Sequence, residues 1–229
     1  GHSSGGDNAD AVADDQELVG TVERVEAEEF SIDDRMTSLA DAFEALFGIW
    51  GRDYQASRSP IACDFAESEG LGCLETRMSR QGLMFLNRPA ILHLRDGSGQ
   101  TGFGQAAVIA SPDGDRVVGF DSIEPFWHGQ FTVLWKLPTN EQADRQIWLS
   151  ASMMELASQQ ASNRTEEDRV VRMNSGEQIR WYQSKKGLAV DGIAGAMTII
   201  QMNNDLNVPV PRLDSSSGRD DQNSQDGAG

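Results

Sequence analysis

The spacing of apolar residues changes twice along this chain, and that change constrains the fold more than any other feature. Leu39, Phe43, Leu46, Phe47 and Trp50 recur at intervals of three and four residues, the stripe of an amphipathic helix. Compact apolar runs of strand type follow, and helical spacing then returns toward the C-terminus. Helices followed by antiparallel strands predict an α+β domain, with a separate helical module behind it.

Three helices are predicted ahead of the strands, at residues 31–51, 60–69 and 76–86. Ser38 or Thr37 can cap the first helix, since both carry a side-chain oxygen. Pro60 suits the first turn of the second helix. The run Gly70-Leu71-Gly72 separates the second helix from the third.

Four short strands are predicted next, at residues 89–94, 105–110, 116–120 and 131–137. The second and third of these flank Ser111-Pro112-Asp113-Gly114-Asp115, whose residue types are typical of a hairpin turn. The helices and the antiparallel strands together predict one front domain at residues 31–139.

The C-terminal part returns to helical spacing after a polar segment at residues 140–147, which is interpreted as a linker. It supplies three predicted helices, at residues 147–161, 177–186 and 196–207. Residues 162–168 are polar and are expected to form a loop. The prediction is therefore a small three-helix module at residues 148–213.

Both ends of the chain are poor in large apolar residues, so residues 1–30 and 214–229 are expected to be disordered. The acidic leader begins with Gly1-His2-Ser3-Ser4-Gly5, which resembles an expression tag. The chain carries 36 acidic and 19 basic residues, for a formal charge of -17. A field of that sign repels nucleic-acid phosphates and anionic lipids, so neither partner is expected.

The two cysteines, Cys63 and Cys73, leave two possibilities open. Their spacing fits a disulfide in an oxidising compartment, and equally two buried thiols in the cytosol. Two cysteines and three scattered histidines are too few ligands for a zinc site. Neither a metal nor any other cofactor is therefore expected.

The most informative segment lies near the C-terminus, between residues 178 and 198. Gly187 is placed to end a helix, and Asp191-Gly192 is typical of a tight turn. Gly195 is expected to permit a close backbone approach before the last helix. Leu188, Val190 and Ile193 are short apolar residues that can hold the loop against the helices.

This segment resembles the second half of the peptidoglycan-binding domain found in many cell-wall hydrolases. The matching positions are Tyr182, Gln183, Gly187, Leu188, Asp191, Gly192, Gly195 and Thr198. The resemblance implies a shallow groove for glycan strand and stem peptide, with Arg180, Gln183, Asp191 and Thr198 as polar contacts. Trp181 or Tyr182 would provide a stacking face, and one of the two is expected in the core because adjacent helical residues face different ways. Asp191 is equally explained as a turn-former.

The front domain resembles the papain-like C39 peptidases in its linear order, but without their catalytic residues. Ser38 stands at the place of the cysteine nucleophile, Gln105 at that of the histidine and Asp121 at that of the third residue. A serine without a base is a poor nucleophile, and glutamine cannot accept the proton. His93 and His128 fall elsewhere in the pattern. The domain is therefore expected to be catalytically inert, and the chain is not expected to be an enzyme.

The two domains in this order resemble the periplasmic part of the general secretion pathway protein A family. The supporting segments are Ala42-Phe43, Leu46-Phe47, Trp50-Gly51, Tyr54, Ala62-Cys63, Gly70-Leu71, Cys73-Leu74, Asn87-Arg88-Pro89-Ala90 and Phe131 to Lys136. The resemblance implies a periplasmic protein that binds peptidoglycan and, with secretion pathway protein B, helps the secretin assemble through the wall. It also implies an inner-membrane anchor and a cytoplasmic ATPase domain upstream of this segment.

A periplasmic location further implies a Cys63–Cys73 disulfide, which would tie the second predicted helix to the third. Self-association is a possibility for a protein that surrounds a pore. Two alternative functions remain open at this stage. One is a cell-wall hydrolase or peptidase that uses the C-terminal module for targeting, and the other is an interaction domain that has kept the wall-binding fold but lost the ligand.

Overall fold

The chain is described by a computed structural model at residues 38–95, 106–109, 120–139 and 141–213. The front lobe, residues 38–139, holds helices α1 (Leu39–Ile49), α2 (Ala62–Ser68), α3 (Arg80–Leu86) and α4 (Phe120–Ile123), and strands β1 (Leu71–Arg77), β2 (Ala90–Leu94), β3 (Ala106–Ile109) and β4 (Trp127–Lys136). The helical lobe, residues 141–213, holds α5 (Gln142–Gln160), α6 (Arg164–Arg172), α7 (Ser175–Lys186) and α8 (Ala196–Asp205). The α+β class is confirmed. None of the helices in these ranges is long and apolar enough to cross a membrane.

The four strands form one antiparallel sheet in the order β1-β4-β2-β3. Strand β4 lies inside the sheet, and its alternating residues supply both faces. Phe131 and Val133 pack with Leu92 into a core beneath α3. Leu134 packs on the opposite face with Ile91, into a second core that includes α1. Because both faces are covered there, the second half of β4 is largely apolar, from Phe131 to Trp135.

Helix α1 follows the sequence prediction closely. Ser38 caps it, since its side-chain oxygen accepts a hydrogen bond from the Asp41 amide at 3.1 Å. The predicted apolar stripe is buried at Phe43, Leu46 and Phe47. The local signals for this helix were therefore sufficient, because its cap and its apolar face lie within one short segment.

The predicted disulfide is present between Cys63 and Cys73, whose Cα atoms lie 5.6 Å apart. It joins α2 to strand β1 instead of joining two helices, because Cys73 belongs to β1. The bond therefore fastens a short helix to an edge of the sheet.

Two predictions for the front lobe were wrong. The third helix was placed at residues 76–86, but Thr76 belongs to β1 and α3 starts only at Arg80. Strand β1 was missed because two glycines near its start suggested a break. A side chain at Gly72 would collide with the Trp135 ring, 2.5 Å from the Cβ position, so this glycine serves the close packing of a strand.

The strand predicted at residues 116–120 lies outside the described residues except for Phe120, which begins α4 instead. The strand predicted at residues 105–110 is confirmed over Ala106–Ile109. The remaining predicted strands correspond to β2 and to β4, which begins at Trp127, earlier than expected.

The helical lobe has four helices in the described range, not three. The expected linker at residues 140–147 is mostly helical, because α5 begins at Gln142. The expected loop at residues 162–168 overlaps α6. Asn163 caps α6 by accepting a hydrogen bond from the Glu166 amide at 2.8 Å. Acidic residues in its first turn and arginines in its last turn interact favourably with the helix dipole. The cap and these charges stabilise a helix in a segment that is mostly polar.

Helix α8 belongs to both lobes. Ile200 lies in a core of the sheet, whereas Met202 lies in the core of the helical lobe. Arg88 of the front lobe is 1% exposed and donates to the Asn204 Oδ1 atom at 2.6 Å. Burial and the neighbouring Arg212 lower the pKa of Arg88 to about 10. These contacts dock the two lobes directly against each other.

Candidate functional site

The loop that joins α7 to α8 takes the shape that its glycines predicted. Gly187 ends α7 in the left-handed region at φ 69°, and Gly192 turns the loop at φ 75°. Gly195 differs from the prediction, because it has extended backbone and nothing lies within 4 Å of its Cβ position. Close backbone approach is therefore not the reason for glycine at position 195.

Gln183 holds this loop from beneath. The two N–H groups of its Nε2 atom are shared among three acceptors, which are Asp191 Oδ1 at 2.8 Å, the Ile193 carbonyl at 3.0 Å and Thr198 Oγ1 at 3.0 Å. Its Oε1 atom accepts from the amides of Asp191 and Gly192, both at 3.0 Å. Gln183 is 1% exposed, so its whole amide group is used inside the protein.

Two residues expected as polar ligand contacts therefore lie inside the lobe. Gln183 has no free face, and Thr198 is buried at 4% exposure with its hydroxyl accepting from Gln183. Tyr182 is also fully buried, and its hydroxyl donates to Asp205 at 2.6 Å. Burial and this carboxylate raise the pKa of Tyr182 well above its usual range. The matching motif thus consists largely of residues that shape the loop, because a bend this tight needs internal partners for its amides.

Trp181 remains partly exposed and is the member of the aromatic pair that lies nearer the surface. Its indole N–H donates to Glu166 at 2.8 Å, and Lys185 bridges to the same carboxylate at 2.8 Å. The hydrogen bond from Lys185, then those from Trp181 and the Ser162 amide, lower the pKa of Glu166 to about 2. This ion pair fastens α7 to α6.

Arg180 and Asp191 are exposed beside the turn. The Arg180 guanidinium covers Gly192, with its Cζ atom 3.0 Å from the Cβ position of that glycine. Hydrogen bonds from the Ile193 amide and from Gln183 lower the pKa of Asp191, and Arg180 adds to this effect. Asp191 is therefore a turn-former that also presents a carboxylate to solvent.

An open groove of about 370 Å³ lies beside the loop. Its walls come from the start of α5, the start of α7 and the loop itself, and include Arg145, Gln146, Trp148, Ser175, Gly176 and Ile193. Ile193 is 65% exposed, so it presents an apolar surface at the edge of the groove. Arg145, Trp148 and Ser175 were not identified from the sequence, because they reach the loop only through helix packing.

A larger cavity, about 560 Å³, lies at the junction of the lobes between Trp50, Lys136 and Pro209. None of its walls belongs to the loop between α7 and α8. The groove beside the loop is therefore the cavity that fits the sequence motif.

Of the three positions that correspond to a peptidase triad, only Ser38 and Asp121 lie in the described residues. The Ser38 hydroxyl accepts from the helix backbone, and the Asp121 side chain is 96% exposed at 3.9 Å from Arg80. Gln105 lies outside the described residues. His93 Nε2 pairs with Thr132 Oγ1 at 2.8 Å, but Thr132 is 3% exposed and its hydroxyl is not accessible to a substrate. His128 is exposed on β4.

The same part of the chain holds no cluster of three or more His, Cys, Asp or Glu residues that would bind a metal ion. Burial lowers the pKa of His93, and the charge of Glu75 opposes this shift. Burial therefore disfavours the charged form of His93, as expected for a histidine that fills a structural position.

Comparison with known proteins identifies sequence relatives. No family model matches the chain. It is 28% identical over 196 residues to general secretion pathway protein A of Aeromonas hydrophila, which covers 78% of this chain and 34% of that protein. It is 25% identical over 182 residues to the putative general secretion pathway protein A of Escherichia coli (strain K12), which covers 71% of this chain and 35% of that protein. The chain thus spans about a third of the length of the curated relatives it matches.

A solved structure is also similar, the periplasmic domain of the EpsAB fusion protein of the Vibrio vulnificus type II secretion system. The identity is 21% and the TM-score is 0.43, with 73% of this chain and 78% of that chain covered. The similarity of sequence confirms the resemblance that the motifs had indicated. This chain is similar in sequence to proteins named general secretion pathway protein A.

Proposed function

We propose that this chain is a non-catalytic, peptidoglycan-binding part of a type II secretion system, and that it works in the periplasm. The observation that carries this proposal is the loop between α7 and α8, which Gln183 holds beside an open groove. The relatives named general secretion pathway protein A support the link to secretion. In this view the front lobe is a papain-like domain that has lost its catalytic chemistry.

The groove has the chemistry that a glycan with a peptide stem requires. Sugars offer pairs of hydroxyl groups and apolar ring faces, so they suit sites with polar donors beside aromatic or aliphatic surface. Trp148 and Ile193 provide apolar surface, whereas Arg145 and Ser175 provide donors. Arg180 and Asp191 present further polar groups at the edge of the loop. These residues, together with Trp181, form the proposed contact surface, and Gln183 and Thr198 support it from inside.

The partners follow from the same proposal. Peptidoglycan would be the direct ligand, and secretion pathway protein B and the secretin would be protein partners. The whole protein would be anchored in the inner membrane. The proposed role is to help the secretin assemble or pass through the wall.

A sacculus pull-down tests the proposal. Arg145→Ala and Arg180→Ala each remove a donor beside the groove. Each should lower retention about three- to tenfold, which corresponds to the loss of one ordinary hydrogen bond of about 0.7–1.4 kcal/mol. Arg58→Ala is the matched control, because Arg58 is also an exposed arginine and lies in the front lobe, away from the groove. The site is refuted if both groove variants are retained as well as the unmodified chain and their melting temperatures are unchanged. A loss of sacculus turbidity on adding the protein would favour a hydrolase instead.

A further inference from the structure

Among residues 38–95, 106–109, 120–139 and 141–213, no strand pairs with the side of β1 that faces away from β4. Within the described residues β1 pairs only with β4. The Met78 amide donates to Gly129 at 3.0 Å and the Leu137 amide donates to Gly70 at 3.1 Å, so even-numbered residues of β1 face β4. The backbone N–H and C=O groups of Glu75 and Arg77 therefore point away from the sheet. Both side chains are exposed, so this end of the strand is accessible.

The open segment, residues 74–78, reads Leu-Glu-Thr-Arg-Met and complements itself in the antiparallel direction. When a second copy is centred on Thr76, Glu75 of each chain lies opposite Arg77 of the other. Leu74 then lies opposite Met78 of the second copy, and these two residues already pack against the apolar core of the sheet. Opposite charges directly across an antiparallel pair are stabilising.

The charged side chains are available for such a pairing. Neither Glu75 nor Arg77 forms an ion pair within the described residues, and Glu75 only accepts a hydrogen bond from Gln130 at 2.6 Å. A carboxylate has room for a further donor.

We propose that this edge of β1 pairs with the same edge of a second copy, about a two-fold axis at Thr76. The pairing makes four backbone hydrogen bonds, two at each Glu75–Arg77 pair, and two cross-strand ion pairs. It is isologous, so it closes at a dimer. The contact is small, and the dimer is therefore weak and depends on protein concentration.

Disulfide trapping tests the register. Thr76 lies at a non-hydrogen-bonded pair of the new interface, where facing Cα atoms are about 4.5 Å apart, within reach of a disulfide. Cys63 and Cys73 are bonded to each other, so Thr76→Cys introduces one free thiol. Mild oxidation of the whole 229-residue chain should give a covalent dimer at least tenfold faster than Ser150→Cys, an exposed control on α5. Equal rates for the two variants would overturn the proposal.

A charge exchange tests the same pairing without a cross-link. Glu75→Arg places arginine opposite arginine twice, and should weaken the dimer about tenfold in sedimentation experiments at physiological salt. Arg77→Glu should act similarly. The double exchange, Glu75→Arg with Arg77→Glu, restores opposite charges and should restore dimerisation. A double variant as monomeric as the single variants, with an unchanged circular dichroism spectrum, would overturn the proposal.

Discussion

Replacing Gln183 with alanine tests whether this residue builds the loop or touches the ligand. The side chain makes five hydrogen bonds to four residues, and it is 1% exposed. Each buried bond contributes about 0.5–1.5 kcal/mol net, and water can reach some of the partners once the side chain is gone. The lost hydrogen bonds and the cavity left behind should together lower the free energy of unfolding of Gln183→Ala by about 3 kcal/mol.

For a chain of this size, that loss should lower the melting temperature by about 6–12 °C. Calorimetry measures the shift, and amide NMR signals of Asp191 and Gly192 report the loop itself. Gln178→Ala is the matched control, because Gln178 is a buried glutamine of the same helix that donates only to the Val170 carbonyl at 3.0 Å. It should cost about 1 kcal/mol and leave the loop signals in place.

A structural role for Gln183 is refuted if Gln183→Ala abolishes retention on sacculi while its melting temperature and loop signals stay unchanged. Gln183 would then be a contact residue, as the resemblance to the wall-binding family had implied. Loss of retention together with a disordered loop is the expected result.

Three further substitutions test other parts of the molecule. Arg88→Ala removes the buried hydrogen bonds to α8 and should lower the free energy of unfolding by about 2–3 kcal/mol. Calorimetry should show one melting transition at a lower temperature, and two separate transitions would show that the lobes are not coupled. Gly192→Ala strains a left-handed residue beside the Arg180 guanidinium and should cost about 1–2 kcal/mol in chemical denaturation; unchanged stability would contradict this. The pKa of Glu166 is lowered from 4.5 to about 2, mainly by Lys185, so its stabilising contribution is complete above pH 4.5 and disappears as the pH falls toward 2. Glu166→Gln should make the free energy of unfolding depend less on pH in that window. A pH dependence equal to that of the unmodified chain would refute the role assigned to Glu166.

Features encoded within a few neighbouring residues were predictable from the sequence. The cap and stripe of α1, strand β2, the left-handed glycines at 187 and 192 and the family resemblance all depend on local patterns. The disulfide was predictable too, but only through the periplasmic location that the resemblance implied. For the helix, the strand and the glycines, the residues that determine the feature lie close together in the chain, so no knowledge of packing was needed.

The remaining features depend on contacts between distant segments. Strand β1 exists because β4 pairs with it and because the Trp135 ring lies over Gly72. Helix α6 was mistaken for a loop because few of its residues are apolar, and its cap and charge arrangement stabilise it instead. A pattern of apolar residues does not reveal either effect.

The sequence alone determined which segment carries the candidate site, because glycines and a turn-forming Asp191 restrict the backbone there. Only the tertiary structure decided which side chains face outward. Gln183 and Thr198 turn inward because the bent backbone of the loop needs hydrogen-bond partners that solvent does not supply beneath it. Trp148 and Arg145 reach the same groove from another helix, since packing of α5 against α7 brings together residues that lie far apart in the chain.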